Sequence, residues 1–188
     1  MLKYIEEFRK HVAITGFEKI TIKNLEEFLA AINSGKSLDT DVQVFNAELV
    51  ATWQHLYFAV LNALAVFENK ESISRKVAVE IMLYASAQRQ IRRATEILGV
   101  KSHSTSVAIV VVGEEPETVK STLSRISKQI NAKPNDAVLE LTDEKVVEIQ
   151  KAFGIAKEEL ESAAKNSQFK DALVNLVIEH MSLLSTKR

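Results

Sequence analysis

The chain has 188 residues but no cysteine, only two prolines and only five glycines. Without thiols it cannot form disulfides, thiolate zinc sites or iron–sulfur clusters, and it has no cysteine nucleophile. The glycines occur singly, so the chain contains neither of the common glycine-rich phosphate loops. The scarcity of proline and glycine favours long regular elements over many short hairpins. These absences exclude thiol-dependent enzymes and argue against the common nucleotide-binding folds.

Long apolar segments and a strong net charge are also missing. The most apolar stretch, residues 56–67, is too short to span a bilayer, and no signal-like apolar run precedes the first charges. We therefore expect a cytoplasmic location. The 24 basic and 25 acidic residues give a formal charge of −1, so no overall positive field attracts nucleic acid. Any nucleic-acid binding must depend on a local patch.

Hydrophobic periodicity predicts a single α+β domain over residues 1–188, with a central sheet of about four to five strands packed with several helices. The predicted strands are residues 12–14, 19–22, 42–45, 79–85, 105–112 and 138–141. The predicted helices are residues 25–32, 49–67, 72–76, 88–98, 116–130, 142–153, 155–164 and, as a long C-terminal helix, 169–184. Strand 79–85, helix 88–98 and strand 105–112 suggest a βαβ-like unit in which Ser86 caps the helix.

No catalytic constellation stands out. The four histidines lie far apart and lack the spacings of common metal sites. Serines 86 and 104 have neither the flanking glycines of a nucleophile elbow nor a neighbouring base. The acidic pairs sit at predicted helix starts, where the helix dipole accounts for them. We therefore predict a protein that is not an enzyme and that uses no cofactor or metal.

The charges are unevenly distributed behind the neutral sum. Residues 69–101 contain seven basic and three acidic residues, a net charge of +4, whereas residues 140–171 contain five basic and eight acidic residues, a net charge of −3. Arg89, Arg92 and Arg93 follow Ser86 at a predicted helix N-terminus, where unpaired backbone N–H groups favour phosphate or carboxylate. The alternative interpretation is a basic helix face that contacts only solvent.

Residues 79–91, VEIMLYASAQRQI, resemble a segment of the CGI/TPRKB-like family, the small kinase-binding subunits of the KEOPS complex. Residues 42–52, 136–144 and the closing leucine-rich helix are similar as well, so the resemblance covers about residues 40–188 in colinear order. The family usually has glycine where this chain has Ala87, which puts a left-handed backbone there in doubt. The first forty residues are less diagnostic.

The resemblance implies a non-catalytic adaptor in the machinery that makes threonylcarbamoyladenosine at position 37 of certain tRNAs. Such a subunit binds the small atypical kinase/ATPase subunit and promotes its activity, and archaeal members bind the single-stranded 3′ CCA end of tRNA. Together with the net positive charge of residues 69–101, this leads us to predict a tRNA-binding site, in which Tyr84 could stack on a base. The predicted tRNA-binding residues are Arg75, Lys76, Ser86, Gln88, Arg89, Arg92 and Arg93.

The last predicted helix has two apolar lines, more than one buried face needs. Together with the resemblance, this places the predicted kinase interface there, and the alternative is a fully buried helix. The predicted interface residues are Leu173, Val174, Val177, Ile178 and Met181.

Two other functions stay open on the sequence alone. The first is a small enzyme or binding protein for a phosphorylated metabolite at residues 86–93, which would need an acid or base beside the anion. The second is a plain dimerisation module. Anion binding in a closed pocket would favour the first, and self-association without a kinase partner would favour the second.

Overall fold

Four antiparallel strands form one sheet in the computed structural model, which describes residues 1–166 and 168–184. The strands are β1 (Leu2–Ile5), β2 (Lys10–Phe17), β3 (Thr40–Asn46) and β4 (Val107–Gly113), and their order across the sheet is β1-β2-β4-β3. The predicted α+β class and the predicted strand number are therefore confirmed. The strands predicted around residues 12, 42 and 105 are confirmed as β2, β3 and β4.

The central strand β4 is continuously apolar, and all seven of its residues are buried. Such runs, rich in β-branched side chains, are typical of strands covered on both faces. Val111 pairs with Ala13 on β2 and with Val42 on β3, which fixes the register on both sides of β4. The uninterrupted run is the reason why this strand was predictable.

Eight α-helices complete the described part of the chain. They are α1 (Leu25–Gly35), α2 (Trp53–Glu68), α3 (Val77–Ala85), α4 (Ile91–Leu98), α5 (Pro116–Gln129), α6 (Asp143–Phe153), α7 (Lys157–Ala163) and α8 (Phe169–Ser182). Short 3₁₀ turns occur at Ala47–Leu49, Asp136–Leu139 and Ala164–Asn166. None of the helices in the described ranges is long and apolar enough to cross a membrane.

The chain divides into two compact units, each made of two segments. The sheet unit contains Met1–Ala47 and Gly99–Leu139, and the helical unit contains Glu48–Leu98 and Glu140–Arg188. The single domain over residues 1–188 stays a prediction.

In the sheet unit, α1 and α5 pack together beside the strands. The side chain of Asn24 accepts hydrogen bonds from the backbone N–H groups of Glu26 and Glu27, which begins α1 as predicted. Pro116 occupies the first turn of α5, where its missing N–H has no consequence. Apolar residues from both helices and from the strands form one buried cluster with Phe17 and Ile126.

In the helical unit, α6, α7 and α8 share a core that includes Ile149, Leu160 and Leu173. Thr142 caps α6 through a hydrogen bond from the backbone N–H of Lys145. Gly154 ends α6 in the left-handed conformation with φ of 65°, which glycine adopts without steric strain. Both boundaries agree with the sequence prediction, because both depend on local backbone chemistry.

The strand predicted at residues 79–85 is wrong, because these residues lie in helix α3. The βαβ-like unit predicted around it is therefore wrong as well. Six consecutive residues, from Glu80 to Ala85, are buried. A short helix buried on all sides has no polar stripe, so its apolar run cannot be distinguished from that of a buried strand by periodicity.

Three further expectations fail where the chain lacks regular structure. Residues 138–141 do not form a strand, because the first two belong to a 3₁₀ turn and the last two follow it. Asp136 Oδ1 in this turn accepts the backbone N–H of Gly16 at 3.1 Å. Residues 19–22 form no strand, and residues 72–76 form no helix. Conversely, strand β1 was not predicted, because three of its four residues are exposed and leave no periodic signal.

Candidate functional site

Helices α3 and α4 are joined by residues 86–90, here called the α3–α4 turn. The backbone N–H of Ala87 donates to Tyr84 O at 2.8 Å, and that of Gln88 donates to Leu83 O at 3.0 Å. These two bonds are the Schellman pattern, which requires a left-handed residue after the C-cap. Ala87 fills that position with φ of 52°. The backbone that favours glycine is therefore present, although the residue is alanine.

Ser86 does not begin a helix, which corrects the prediction that it caps one. It is the C-cap of α3, and its hydroxyl donates to Met82 O at 2.9 Å and lies 3.1 Å from Leu83 O. With 1% of its surface exposed, Ser86 has no room for a ligand. Tyr84, expected to stack a base, is only 3% exposed. Both residues support the turn from inside.

Helix α4 begins at Ile91, so the predicted helix N-terminus lies five residues beyond Ser86. Arg92 and Arg93 occupy its first turn and are exposed, as are Arg89 and Gln90 before it. The first-turn N–H groups of a helix lack intrahelical acceptors, and the positive end of the dipole adds to the arginine charges. Gln88 is partly buried. The arrangement favours an anion at this end of α4.

The three arginines of this region are not equivalent. Arg92 Nε lies 3.0 Å from Glu96 Oε1 in an exposed ion pair, which contributes little to stability. Arg89 Nη1 donates to the carbonyl oxygen of Leu184, beyond the end of α8, at 3.2 Å. Arg89 is therefore held in part by the protein, and Arg93 projects from an exposed position on α4.

A second basic segment, residues 71–76, precedes α3 and is here called the basic loop. Arg75 and Lys76 are exposed in it. The carboxylate of Glu80 on α3 accepts the backbone N–H of Ile73 at 3.2 Å and that of Ser74 at 2.7 Å. The sequence reasoning missed this buried carboxylate, because a lone glutamate in an apolar run has no periodic signature.

The basic loop and the α3–α4 turn meet at a small cavity of about 60 Å³. Its lining comprises Val66, Glu71, Ile73, Glu80, Tyr84, Arg89 and Leu184. Burial raises the pKa of Tyr84, and the nearby Glu80 carboxylate raises it further against the opposing Arg89 charge. The cavity therefore brings the two predicted basic segments to the same place in the helical unit.

His55 on α2 anchors the end of α3 just before the turn. Its Nε2 lies 2.7 Å from Ala85 O, and its Nδ1 accepts the backbone N–H of Ala51 at 3.2 Å. A carbonyl can only accept, so Nε2 carries the proton of the neutral ring. His55 is fully buried, and burial lowers its pKa from 6.5 to about 4 despite the bond to Ala85. The nearby Lys145 charge lowers it further.

The predicted kinase interface on α8 is only partly at the surface. Leu173, Val177 and Met181 have no exposed surface, and the first two belong to the core of the helical unit. Val174 and Ile178 are partly exposed. The prediction that all five residues face a partner is therefore corrected: the first apolar line is core, because a helix packed on α6 and α7 must bury one face. Contact by Val174 and Ile178 stays a prediction.

Helix α2 presents a second apolar surface, which the sequence analysis did not propose as an interface. From Trp53 to Phe67 the helix has no charged side chain. Phe58 is 39% exposed, and Trp53 and Tyr57 are partly exposed with ring centroids 6.1 Å apart. The signal was present in the sequence as fifteen uncharged helical residues, which exceed what one buried stripe needs.

Metal chemistry finds no support in the described residues, which contain no group of three histidine, aspartate or glutamate side chains close enough to hold an ion. The acids nearest to the α3–α4 turn in sequence both have partners. Glu80 accepts backbone N–H groups, and Glu96 forms an ion pair with Arg92. Neither stands as an unengaged acid or base beside the basic residues.

Comparisons with known proteins give a consistent result. Residues 17–185 match the sequence profile of the family described as "Kinase binding protein CGI-121". The chain is also 32% identical over 119 residues to a protein of Methanocaldococcus jannaschii named "Regulatory protein Cgi121". That alignment covers 63% of this chain and 74% of the relative.

Proposed function

Because the chain belongs to the kinase-binding CGI-121 family, we propose that it is the regulatory subunit of a KEOPS-type complex that modifies tRNA at position 37. In this proposal it binds the small kinase/ATPase subunit and holds tRNA, while another subunit carries out the transfer of the threonylcarbamoyl group. It acts without catalytic residues of its own and in the cytoplasm. The observation that carries the tRNA part is the pair of exposed basic segments beside the start of α4.

The basic segments suit a phosphodiester backbone. Arg75 and Lys76 on the basic loop and Arg92 and Arg93 on α4 are exposed, and the helix N-terminus adds unpaired N–H donors. Arginine forks bind phosphate oxygens in a bidentate manner. The chain as a whole has no net positive charge, so this local concentration supplies the attraction.

Ile91 gives the same surface an apolar element. It is 54% exposed at the first position of α4, between Arg89 and the two following arginines. Unpaired bases of single-stranded RNA bind by packing their faces on apolar, aromatic or guanidinium surfaces while phosphates contact cations. This combination favours a single-stranded end over a duplex, in agreement with the 3′ CCA end that the family resemblance implies.

The tRNA proposal is tested by charge reversal with a matched control. We expect Arg93→Glu to weaken tRNA binding at least tenfold, because it removes one phosphate contact and adds repulsion. Lys151→Glu makes the same charge change at an exposed position of α6, outside the basic segments. It should leave the affinity for tRNA within about twofold of the wild type. The measurement is filter binding of whole tRNA and of tRNA lacking its terminal CCA, at several salt concentrations. Equal effects of the two variants would contradict the proposal.

In this proposal the kinase subunit binds to the apolar surface of the helical unit. Phe58 on α2 and Ile178 on α8 are exposed or partly exposed apolar residues on two different helices. Protein interfaces concentrate their binding energy in such residues, above all aromatic ones. We expect Phe58→Glu or Ile178→Glu to abolish retention of the kinase subunit, because a glutamate would lose its hydration without gaining a partner.

Val147→Glu is the control for these variants, since Val147 is 63% exposed on α6. It should bind the kinase subunit as the wild type does. Thermal unfolding of each variant separates loss of fold from loss of contact. If all three variants fold and retain the kinase subunit, the interface lies on neither surface.

A further inference from the structure

Glu80 is the most buried carboxylate of the described residues, with 1% of its surface exposed. Buried carboxylates are costly unless their oxygens are hydrogen-bonded, and almost any apolar side chain would suit the interior of α3 better. The neighbours of Glu80 in the helix, Ile81 to Ala85, are buried and carry no charge. A carboxylate at this position therefore calls for a role other than apolar packing.

The carboxylate of Glu80 binds the backbone of the basic loop. Its two oxygens accept different backbone N–H groups, Oε1 from Ile73 and Oε2 from Ser74. The Ser74 hydroxyl in turn accepts the backbone N–H of Lys76 at 3.1 Å, and Lys76 O accepts the N–H of Glu80 at 3.0 Å. Arg75 thus lies between two anchored residues.

The same carboxylate lines the cavity of about 60 Å³ that Arg89 and Ile73 also line. The anchored loop is thereby fixed beside the α3–α4 turn rather than elsewhere on the helical unit. Phosphate contacts at fixed spacing bind better than the same contacts on a mobile loop, because the loop's conformational freedom has already been lost on folding.

We propose that Glu80 is a positioning residue for RNA binding, holding the basic loop so that Arg75 and Lys76 reach the same RNA strand as the arginines around α4. This inference rests on the proposed tRNA-binding function. It assigns a specific role to a negative charge inside a positive surface: the carboxylate is turned inward onto backbone N–H groups while the cations point outward.

The test replaces Glu80 by glutamine and measures tRNA binding over a range of salt concentrations. Glu80→Gln keeps the size of the side chain but presents an NH₂ group to a backbone N–H, which detaches one side of the loop. We expect affinity to fall about tenfold and the salt slope to decrease as it does in Arg75→Ala/Lys76→Ala, by about 0.7 per lost phosphate contact on a single strand. Glu148→Gln, at an exposed position of α6, is the control and should change neither the affinity for tRNA nor the salt slope.

A double-mutant cycle separates positioning from general destabilisation. When Arg75 and Lys76 are already alanine, Glu80→Gln should have no further effect on affinity, because the loop it positions has lost its cations. An additive effect, or an unchanged salt slope, would overturn the inference. If Glu80→Gln does not fold, Ser74→Pro tests the same anchor from the loop side, because proline lacks the backbone N–H that Glu80 Oε2 accepts. Full affinity in that variant overturns the inference.

The outcome also distinguishes this inference from the proposed function. If the wild-type chain shows no salt-dependent tRNA binding, the proposed function fails and the inference fails with it. If wild type binds and Arg75→Ala/Lys76→Ala weakens binding while Glu80→Gln does not, the positioning role alone fails.

Discussion

The sheet unit and the helical unit use polar groups in different ways. In the sheet unit the ion pairs are at the surface, as between Lys10 and Glu114 at 2.8 Å, and its buried polar side chains are uncharged, such as Thr15 and Asn46. The helical unit, by contrast, buries the imidazole of His55 and the carboxylate of Glu80. His55 contacts the backbone of Ala85 at the end of α3, before the turn that contains Arg89, and Glu80 holds the loop that contains Arg75.

This difference follows from how each unit fixes its backbone. Main-chain bonds between strands already fix the sheet unit, so it needs no buried charge to hold its shape. In the helical unit the basic loop instead has side-chain acceptors for its backbone N–H groups, from Glu80 and Ser74. Buried polar networks of this kind fix one conformation at a cost in stability. Both proposed binding surfaces lie in this unit.

The largest expected effect is a loss of stability in acid that depends on His55. Its folded pKa of about 4 lies below the unfolded value of 6.5, so the unfolded chain binds the extra proton first. The contribution is complete above pH 6.5 and is lost as the pH falls towards 4, about 3 kcal/mol in all. Denaturant unfolding of the wild type from pH 7.5 to 4.5 measures it.

Two variants sharpen this comparison between the units. His55→Gln should flatten that part of the pH profile, whereas His103→Gln, an exposed change in the sheet unit, should leave it in place. If the wild type keeps constant stability over this range, His55 is not neutral and buried in solution.

A smaller effect is expected from Gly16→Ala in the sheet unit, and it should not depend on pH. A Cβ at Gly16 would collide with the side chain of Val138 and lie 2.6 Å from Asn135 O. The turn that follows Asn135 would have to move off β2, at a cost of about 1–3 kcal/mol. Urea unfolding at pH 7.5 and 5.5 measures it, and wild-type stability at both would contradict this close packing.

The smallest effect has the opposite sign. Ala87→Gly should stabilise the protein by about 1 kcal/mol, because glycine adopts the left-handed φ of 52° without the steric cost that alanine incurs. The same replacement inside a helix, Ala65→Gly on α2, should destabilise it by about 0.5–1 kcal/mol. Thermal unfolding of both variants gives the signs. A destabilised Ala87→Gly would mean that the turn is not left-handed.

Local chemistry in the sequence determined much of the fold. Asn24, Thr142 and Gly154 set helix boundaries through bonds and φ angles within a few residues. These boundaries agree with the predicted start of helix 25–32 and with both predicted ends of helix 142–153. The apolar run of β4 predicted a buried strand correctly, because β-branched valine and isoleucine predominate in it. The exposed basic residues within residues 69–101 were likewise predictable, because arginine and lysine side chains are usually exposed.

Tertiary structure decided the rest, because burial depends on partners that are distant in sequence. The burial of Glu80 to Ala85 leaves helix α3 without the polar stripe that would have identified it as a helix. Ser86 turns inward because α3 ends there, and Leu173 becomes core because α8 packs on α6 and α7. The link from Glu80 to Ile73 and Ser74 and the link from His55 to Ala85 join segments that no periodicity connects. Sequence placed the cations, and long-range packing determined what holds them in position.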